Sequence, residues 1–291
     1  TALWTVSLQH GDGSISTVQC NFLHMCSGYY SYDEGHNPDF PGKADFAGPI
    51  VHPQFWPDDL DYAGKKVVVI GSGATAVTLV PSMAATAEHV TMLQRSPTYI
   101  VSRPGEDKWA LRLRKFLPAK LAYLLTRWKN VLMGIFMFNL ARKKPDGFKQ
   151  RLLEMVQDEM GADVDMTHYT PSYNPWDQRL CLVPDSDLFA SIKSGKASIV
   201  TDQVEMFTKD GIKLKSGKTI AADIIVTATG LKMLTGGSAK ISVDGQPVNF
   251  GEKINYKGVM FSGIPNFGMT MGYTNASWTL KADLTSEYVC R

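Results

Sequence analysis

Three stretches of this sequence have residue types and spacings that could do chemistry. Gly71-x-Gly73-x-x-Ala76 follows directly on a run of valines. Such a turn can hold a pyrophosphate. The first glycine allows the tight bend, the second lets the backbone approach the phosphates, and the small third residue lets helix and strand pack closely. The unpaired N–H groups and the positive dipole end of the following helix then face the anion. Further on, Gln94-Arg95-Ser96 ends the next strand, where an acid would accept a ribose 2′-hydroxyl. A cation there suits a 2′-phosphate, so NADP is expected rather than NAD. The last stretch is Phe46 to Pro57, which holds Phe46, Gly48, His52, Trp56 and Pro57 in one loop. Taken alone, its histidine and tryptophan read as packing groups.

These residues need particular elements around them. Lys65–Ile70 reads as a buried strand, Ala74–Ala85 as a helix and His89–Leu93 as a second strand, which together make a βαβ unit. That context gives the glycine turn its meaning. Gly11-x-Gly13-x-x-Ser16 has similar spacing but sits between two strand patterns, Trp4–Leu8 and Thr17–Met25, with no helix after it, so it reads as a hairpin turn. From Trp109 to Glu159 apolar residues recur every three or four positions, with Pro118 as a break, which predicts helices. Asn174–Cys181 is a second dense polar loop, with Arg179 entering a strand. A β-meander is expected over Ser198–Thr201, Val204–Thr208 and Ile212–Ile220. The chain then returns through Asp223–Gly230, a buried strand ending in Ala-Thr-Gly.

Composition sets the frame. The chain has 291 residues, 44% hydrophobic and 20% charged, which fits a globular α/β protein of one large or two smaller domains. The net charge of +2 is unevenly spread: Arg103–Arg151 holds thirteen basic and three acidic residues. That segment reads as a solvated helical insertion, with peripheral contact to a membrane surface as the alternative. Nothing in the pattern points to nucleic acid. Cys20, Cys26, Cys181 and Cys290 have no ligand-like spacing, so neither a metal site nor a disulfide framework is expected, and a cytoplasmic location is the default. No signal peptide is evident, and the longest charge-free apolar run of the basic segment, Asn130–Ala141, is too short to span a bilayer.

Taken together, the Phe-x-Gly-x-x-x-His-x-x-x-Trp-Pro loop, the NADP-type turn after it and the Ala-Thr-Gly strand resemble class B flavoprotein monooxygenases, specifically the Baeyer–Villiger monooxygenases. Phe46, Gly48, His52, Trp56 and Pro57 match every fixed position of that family's fingerprint. The resemblance covers almost the whole chain and is weakest in the basic helical segment. It implies a two-dinucleotide-binding-domain flavoprotein fold, FAD and NADPH as cofactors, and transfer of one oxygen atom from O2. The substrate would be a ketone, giving an ester or lactone, or a sulfur-containing compound. It also implies roles. Arg179 corresponds to the family's active-site arginine, whose fixed cation stabilises negative charge on the flavin-bound oxygen and the adduct. Gly71, Gly73, Thr75 and Ala76 would hold the NADP pyrophosphate, and Arg95 with Ser96 the 2′-phosphate. His52 would act in the linker that joins domain movement to NADPH binding. Gly28, Gly230 and Asn275 would border the flavin.

One departure is large. The family opens with an FAD-binding Rossmann turn, and this sequence has a single credible glycine turn, the NADP one. The fold is therefore expected to be incomplete. Residues 1–57 would form a remnant of the FAD domain with the fingerprint linker, 58–225 the NADP-binding domain with an insertion at about 104–170, and 226–291 the return to the FAD domain. By itself such a piece is expected to bind FAD poorly and turn over little. Two other readings stay open: a heteroatom-oxidising flavin monooxygenase without ketone activity, and a non-catalytic NADP-binding module.

Overall fold

The computed structural model describes residues 3–273 and 278–291. The chain forms two compact units, His36–Gly230 and a smaller one made of Thr1–Gly35 with Leu231–Arg291. Sequence placed the divisions at 57/58 and 225/226. The contacts place them at 35/36 and 230/231, so the whole Phe46–Pro57 stretch lies inside the larger unit.

The larger unit is built on a five-stranded, all-parallel sheet. Its spatial order is Ala197–Thr201, His89–Gln94, Lys66–Ile70, Ile224–Thr227, Ile50–Val51. Such strands are covered on both faces and so read as unbroken apolar runs. The alternation along Lys66–Ile70 shows how. Val67 and Val69 join Ala76, Val77 and Val80 of helix Ala74–Ala84 in one core. Val68 and Ile70 face a second core with Leu93, Phe207, Ile212 and Leu214. That second face is roofed by a three-stranded antiparallel sheet, Val204–Thr208, Gly211–Leu214 and Thr219–Ala221. The expected meander is corrected at one strand: Ala197–Thr201 does not belong to it but pairs in parallel with His89–Gln94.

The Phe46–Pro57 stretch is not wholly loop. Ile50–Val51 forms a short edge strand in register with Ile225 and Val226. Pro49 stands just before it and loses nothing by lacking an N–H, since an edge strand leaves donors unpaired. Gly48 is required by a close approach: a Cβ there would overlap the Asp223 carbonyl oxygen and press on the Phe46 ring.

The insertion folds as three helices, Lys108–Phe116, Ala119–Lys143 and Pro145–Met160. Asp107 caps the first, accepting from the N–H groups of Trp109 and Ala110. Pro118 separates the first two, as its locked φ and missing donor predict. The third helix anchors the insertion: Phe148 and Leu152 pack with Tyr99 and Val101, and Val156 reaches the main core. The second leaves only Ala122 and Ala141 buried.

The smaller unit holds a hairpin of Trp4–Gln9 and Ile15–Cys20, a parallel pair of Leu23–Met25 with Phe267–Met269, and the helix Trp278–Cys290. The hairpin confirms that Gly11-x-Gly13 is a turn between strands. The smaller unit's core is Ile264, Phe267 and Met269, with Trp4 donating its indole N–H to the Asn266 carbonyl at 3.0 Å. Among the described residues no helix is long and apolar enough to cross a membrane.

Candidate dinucleotide site at the sheet switch point

The strand order reverses direction of growth between Lys66–Ile70 and Ile224–Thr227. In open parallel sheets ligands bind outside the carboxyl ends of the strands at such a point. A cleft of about 480 Å³ lies there, lined by Gly71, Ser72, Gly73, Arg95, Ser96 and Arg179 among others. Its size falls within the range of small-molecule sites, about 300–1,000 Å³.

The turn is shaped by its glycines. Gly71 has φ +138°, and a Cβ there would overlap the carbonyl oxygen of Ala228 on the neighbouring strand end. Its N–H donates to the Leu93 carbonyl at 2.8 Å, tying the turn to the adjacent strand. Gly73 is the N-cap of helix Ala74–Ala84 and supplies no side-chain cap, so no capping side chain stands over the first helical N–H groups. Ala76 is fully buried, which lets that helix pack against the sheet. Ser72 fixes the turn sideways: its hydroxyl bonds Thr98 Oγ1 at 3.0 Å and donates to the Ser96 carbonyl at 3.3 Å. Cys181 lies behind the turn, its thiol against the Ser72 carbonyl at 3.8 Å. Burial pushes that thiol's pKa up, with Arg179 opposing, so it stays protonated and serves as a packing group.

Arg179 enters from the second polar loop. Its guanidinium lies across Gly73, and a Cβ on that glycine would collide with Nη1. The loop is pinned in two steps: the Tyr99 hydroxyl donates to the Tyr173 carbonyl at 2.7 Å, and the Tyr173 hydroxyl donates to the Arg179 carbonyl at 2.9 Å. Leu180–Pro184 then pairs in parallel with Tyr99–Arg103. Burial pushes the Tyr99 phenol up to about 12 and raises that of Tyr173, so neither becomes an anion beside the arginine near neutral pH.

Gly71, Gly73, Arg95, Ser96 and Arg179 thus line one cleft. Thr75 and Ala76 stand in the first turn of its helix but not in its lining. His52 is elsewhere in the same unit. Its Nδ1 accepts from the Gln54 N–H at 3.2 Å and its Nε2 contacts the Gly230 carbonyl at 3.0 Å. A backbone N–H only donates and a carbonyl only accepts, so the two contacts together place the proton on Nε2. The same carbonyl accepts from the His36 N–H at 3.0 Å. His52 therefore ties the fingerprint stretch to Gly230, the last residue of this unit before the chain leaves it. Gly28 belongs to the smaller unit, and Asn275 lies outside the described residues.

Two groups went unread in the sequence. Tyr173 lines the cleft and holds the arginine loop. Asp202 also lines it, its carboxyl held below the usual range by the Ser216 side chain first and the Gln203 backbone next. The signal for Asp202 was available: it directly follows Ala197–Thr201, and the carboxyl end of a parallel strand is where ligands sit. Placing that strand in the meander hid it.

The flavin-binding monooxygenase-like family matches residues 1–234. The FAD-containing monooxygenase EthA of Mycobacterium tuberculosis is 55% identical over 290 residues, which cover 99% of this chain and 59% of that protein. The probable FAD-binding monooxygenase AlmA of Acinetobacter baylyi is 52% identical over 289 residues, 99% of this chain and 58% of that one. This chain therefore spans a little under three-fifths of the length of these relatives. Among solved structures, open cyclohexanone monooxygenase superposes with a TM-score of 0.72 at 20% identity over 99% of this chain and 67% of that one. OTEMO in complex with FAD and NADP gives 0.72 at 21% identity, over 99% of this chain and 62% of that one. At such identities the likeness shows the fold, that of the two-dinucleotide-binding-domain α/β flavoproteins, of which this chain covers a part. With four-fifths of its residues matched and relatives above half identity, the chain belongs to the flavin-binding monooxygenase-like family.

Proposed function

We propose that this chain is the NADPH-handling part of a monooxygenase that uses FAD and NADPH to place one oxygen atom of O2 into a ketone or a sulfur-containing substrate. The observation that carries the reading is the cleft itself. A glycine turn too tight for any Cβ, a helix start with no capping side chain and two arginines converge at the sheet switch point. These residues fit a dinucleotide phosphate. Gly71 and Gly73 let backbone N–H groups reach the pyrophosphate, Thr75 and Ala76 continue that helical turn, and Arg95 with Ser96 takes the 2′-phosphate. Bound NADPH would supply the hydride and bound FAD the activation of O2. The described residues carry one such turn and no second one, so no step through the flavin is assigned to them.

Arg179 is the group here suited to stabilise oxygen-centred negative charge, because its guanidinium offers a planar fork of charged donors and its loop is pinned. His52 acts as a positioning residue through Gly230, and Gly28 and Asn275 would border the flavin. The relatives' names support the flavin and the solved complexes the cofactor pair, while the fingerprint residues Phe46, Gly48, His52, Trp56 and Pro57 favour the ketone reaction.

The test uses the FAD-loaded full-length protein with a ketone and a thioether side by side. NADPH oxidation should consume O2 and yield an ester or lactone together with a sulfoxide. A sulfoxide without any ester removes the ketone reaction. NADPH oxidation that ends only in hydrogen peroxide, with neither substrate oxygenated, contradicts the reading.

A further inference from the structure

The helix Ala119–Lys143 carries an apolar stripe that the larger unit does not cover. Leu121, Leu125, Trp128, Leu132 and Ile135 follow one another at intervals of three or four residues, so they share one helix face. They are 43% to 60% exposed. Phe116, at the end of the preceding helix, is 83% exposed. Continuous apolar surface of this kind marks an interaction site.

The charges around it say what covers it. Between Arg103 and Arg151 stand thirteen basic residues and three acids. None of the acids falls between Lys108 and Pro145. Asp107 is already occupied, capping one helix and pairing with Lys129 at 2.5 Å. Arg112, Arg114, Lys115 and Lys120 cluster in sequence about the turn that holds Phe116. Exposed apolar side chains also stand off that face, at Tyr123, Met133 and Phe138, and every charged residue from Lys108 to Lys143 is basic. Exposed apolar surface interleaved with cations suits a bilayer interface, where apolar insertion adds to attraction for anionic lipid. The helix cannot cross, because its charges leave no window apolar enough to span.

We propose that the hairpin of Lys108–Phe116 and Ala119–Lys143 docks on the surface of an anionic lipid bilayer. Phe116 and the Leu121–Ile135 stripe enter the acyl boundary, and the flanking lysines and arginines meet lipid phosphates. This reading stands apart from the redox chemistry and does not depend on it.

Co-sedimentation of the full chain with vesicles tests it. The protein should pellet with vesicles of mixed phosphatidylcholine and phosphatidylglycerol, stay in solution with phosphatidylcholine alone, and be released by salt. Charge reversal at Arg112, Arg114, Lys115 and Lys120 to Glu should weaken partitioning at least about tenfold. Phe116→Ser should also weaken it, and circular dichroism should show both variants folded. Equal partitioning onto neutral and anionic vesicles, or onto neither, overturns the proposal. So does a charge-reversed variant that binds as well as the parent. A concentration-dependent dimer without vesicle binding overturns it too and gives the stripe to a second copy.

Discussion

Replacing Arg179 by alanine is expected to slow oxygenation about 100- to 1,000-fold in the FAD-loaded full-length protein, the scale of losing one fixed donor to developing negative charge. NADPH affinity should change by less than about tenfold, or about 1.4 kcal/mol. The two readouts separate two roles, because the guanidinium lies across Gly73, where a dinucleotide phosphate would also approach. If the arginine were mainly a phosphate clamp, binding would fall as far as rate. The pinning of its loop by Tyr99 and Tyr173 argues for a cation held ready for charge that develops later. Arg179→Lys should fall between parent and alanine, since a lysine keeps the charge but not the planar fork of donors. Steady-state product formation, set beside NADPH binding by fluorescence, decides the matter.

Gly71→Val should do the reverse and remove binding first. A β-branched residue at φ +138° is outside its allowed region, and its Cβ would strike the Ala228 carbonyl, which is backbone and has little room to yield. Strain of this kind costs about 1–3 kcal/mol before any clash is counted. The turn would relieve it by shifting, which withdraws backbone N–H groups from the pyrophosphate, each hydrogen bond to a charged group being worth about 1.5–3 kcal/mol. NADPH affinity should therefore fall about 100-fold or more, with a lowered melting midpoint. Gly134 supplies the contrast. It sits in the helix Ala119–Lys143 with nothing near its missing Cβ. Gly134→Ala should raise stability by about 0.5–1 kcal/mol and leave binding unchanged.

The parts of the site legible in the sequence were those whose partners are close in the chain. Gly71 and Gly73 belong to one strand–turn–helix unit, and Arg95 directly follows the next strand, so spacing alone put these three at one cleft, while Ala76 packs beneath it. What could not be read were the ladders and contacts between distant segments. Ala197 pairs with Val90 across the whole helical insertion, and a local reading naturally assigned its strand to the antiparallel neighbours that follow. That misplacement also concealed Asp202. Likewise, nothing near His52 in the sequence points to Gly230, 178 residues away, whose carbonyl it holds. The fingerprint stretch looked like a free loop because its two-residue strand depends on Ile225 and Val226 for its ladder. Tyr173 stands just before the polar loop, and nothing in the local sequence marks that its hydroxyl reaches the Arg179 carbonyl.

The most direct test of the assignment of this cleft to NADP is a calorimetric titration of the protein with NADPH and with NADH, repeated on Arg95→Ala. Arg95 is exposed at the cleft, so its charged hydrogen bonds to a 2′-phosphate should be worth the lower part of the usual range, about 2 kcal/mol. NADPH is expected to bind about 10- to 100-fold more tightly than NADH, with Arg95→Ala abolishing the difference and leaving NADH unchanged. Equal affinity for the two nucleotides, or a preference that survives in Arg95→Ala, would contradict the assignment of this cleft to NADP.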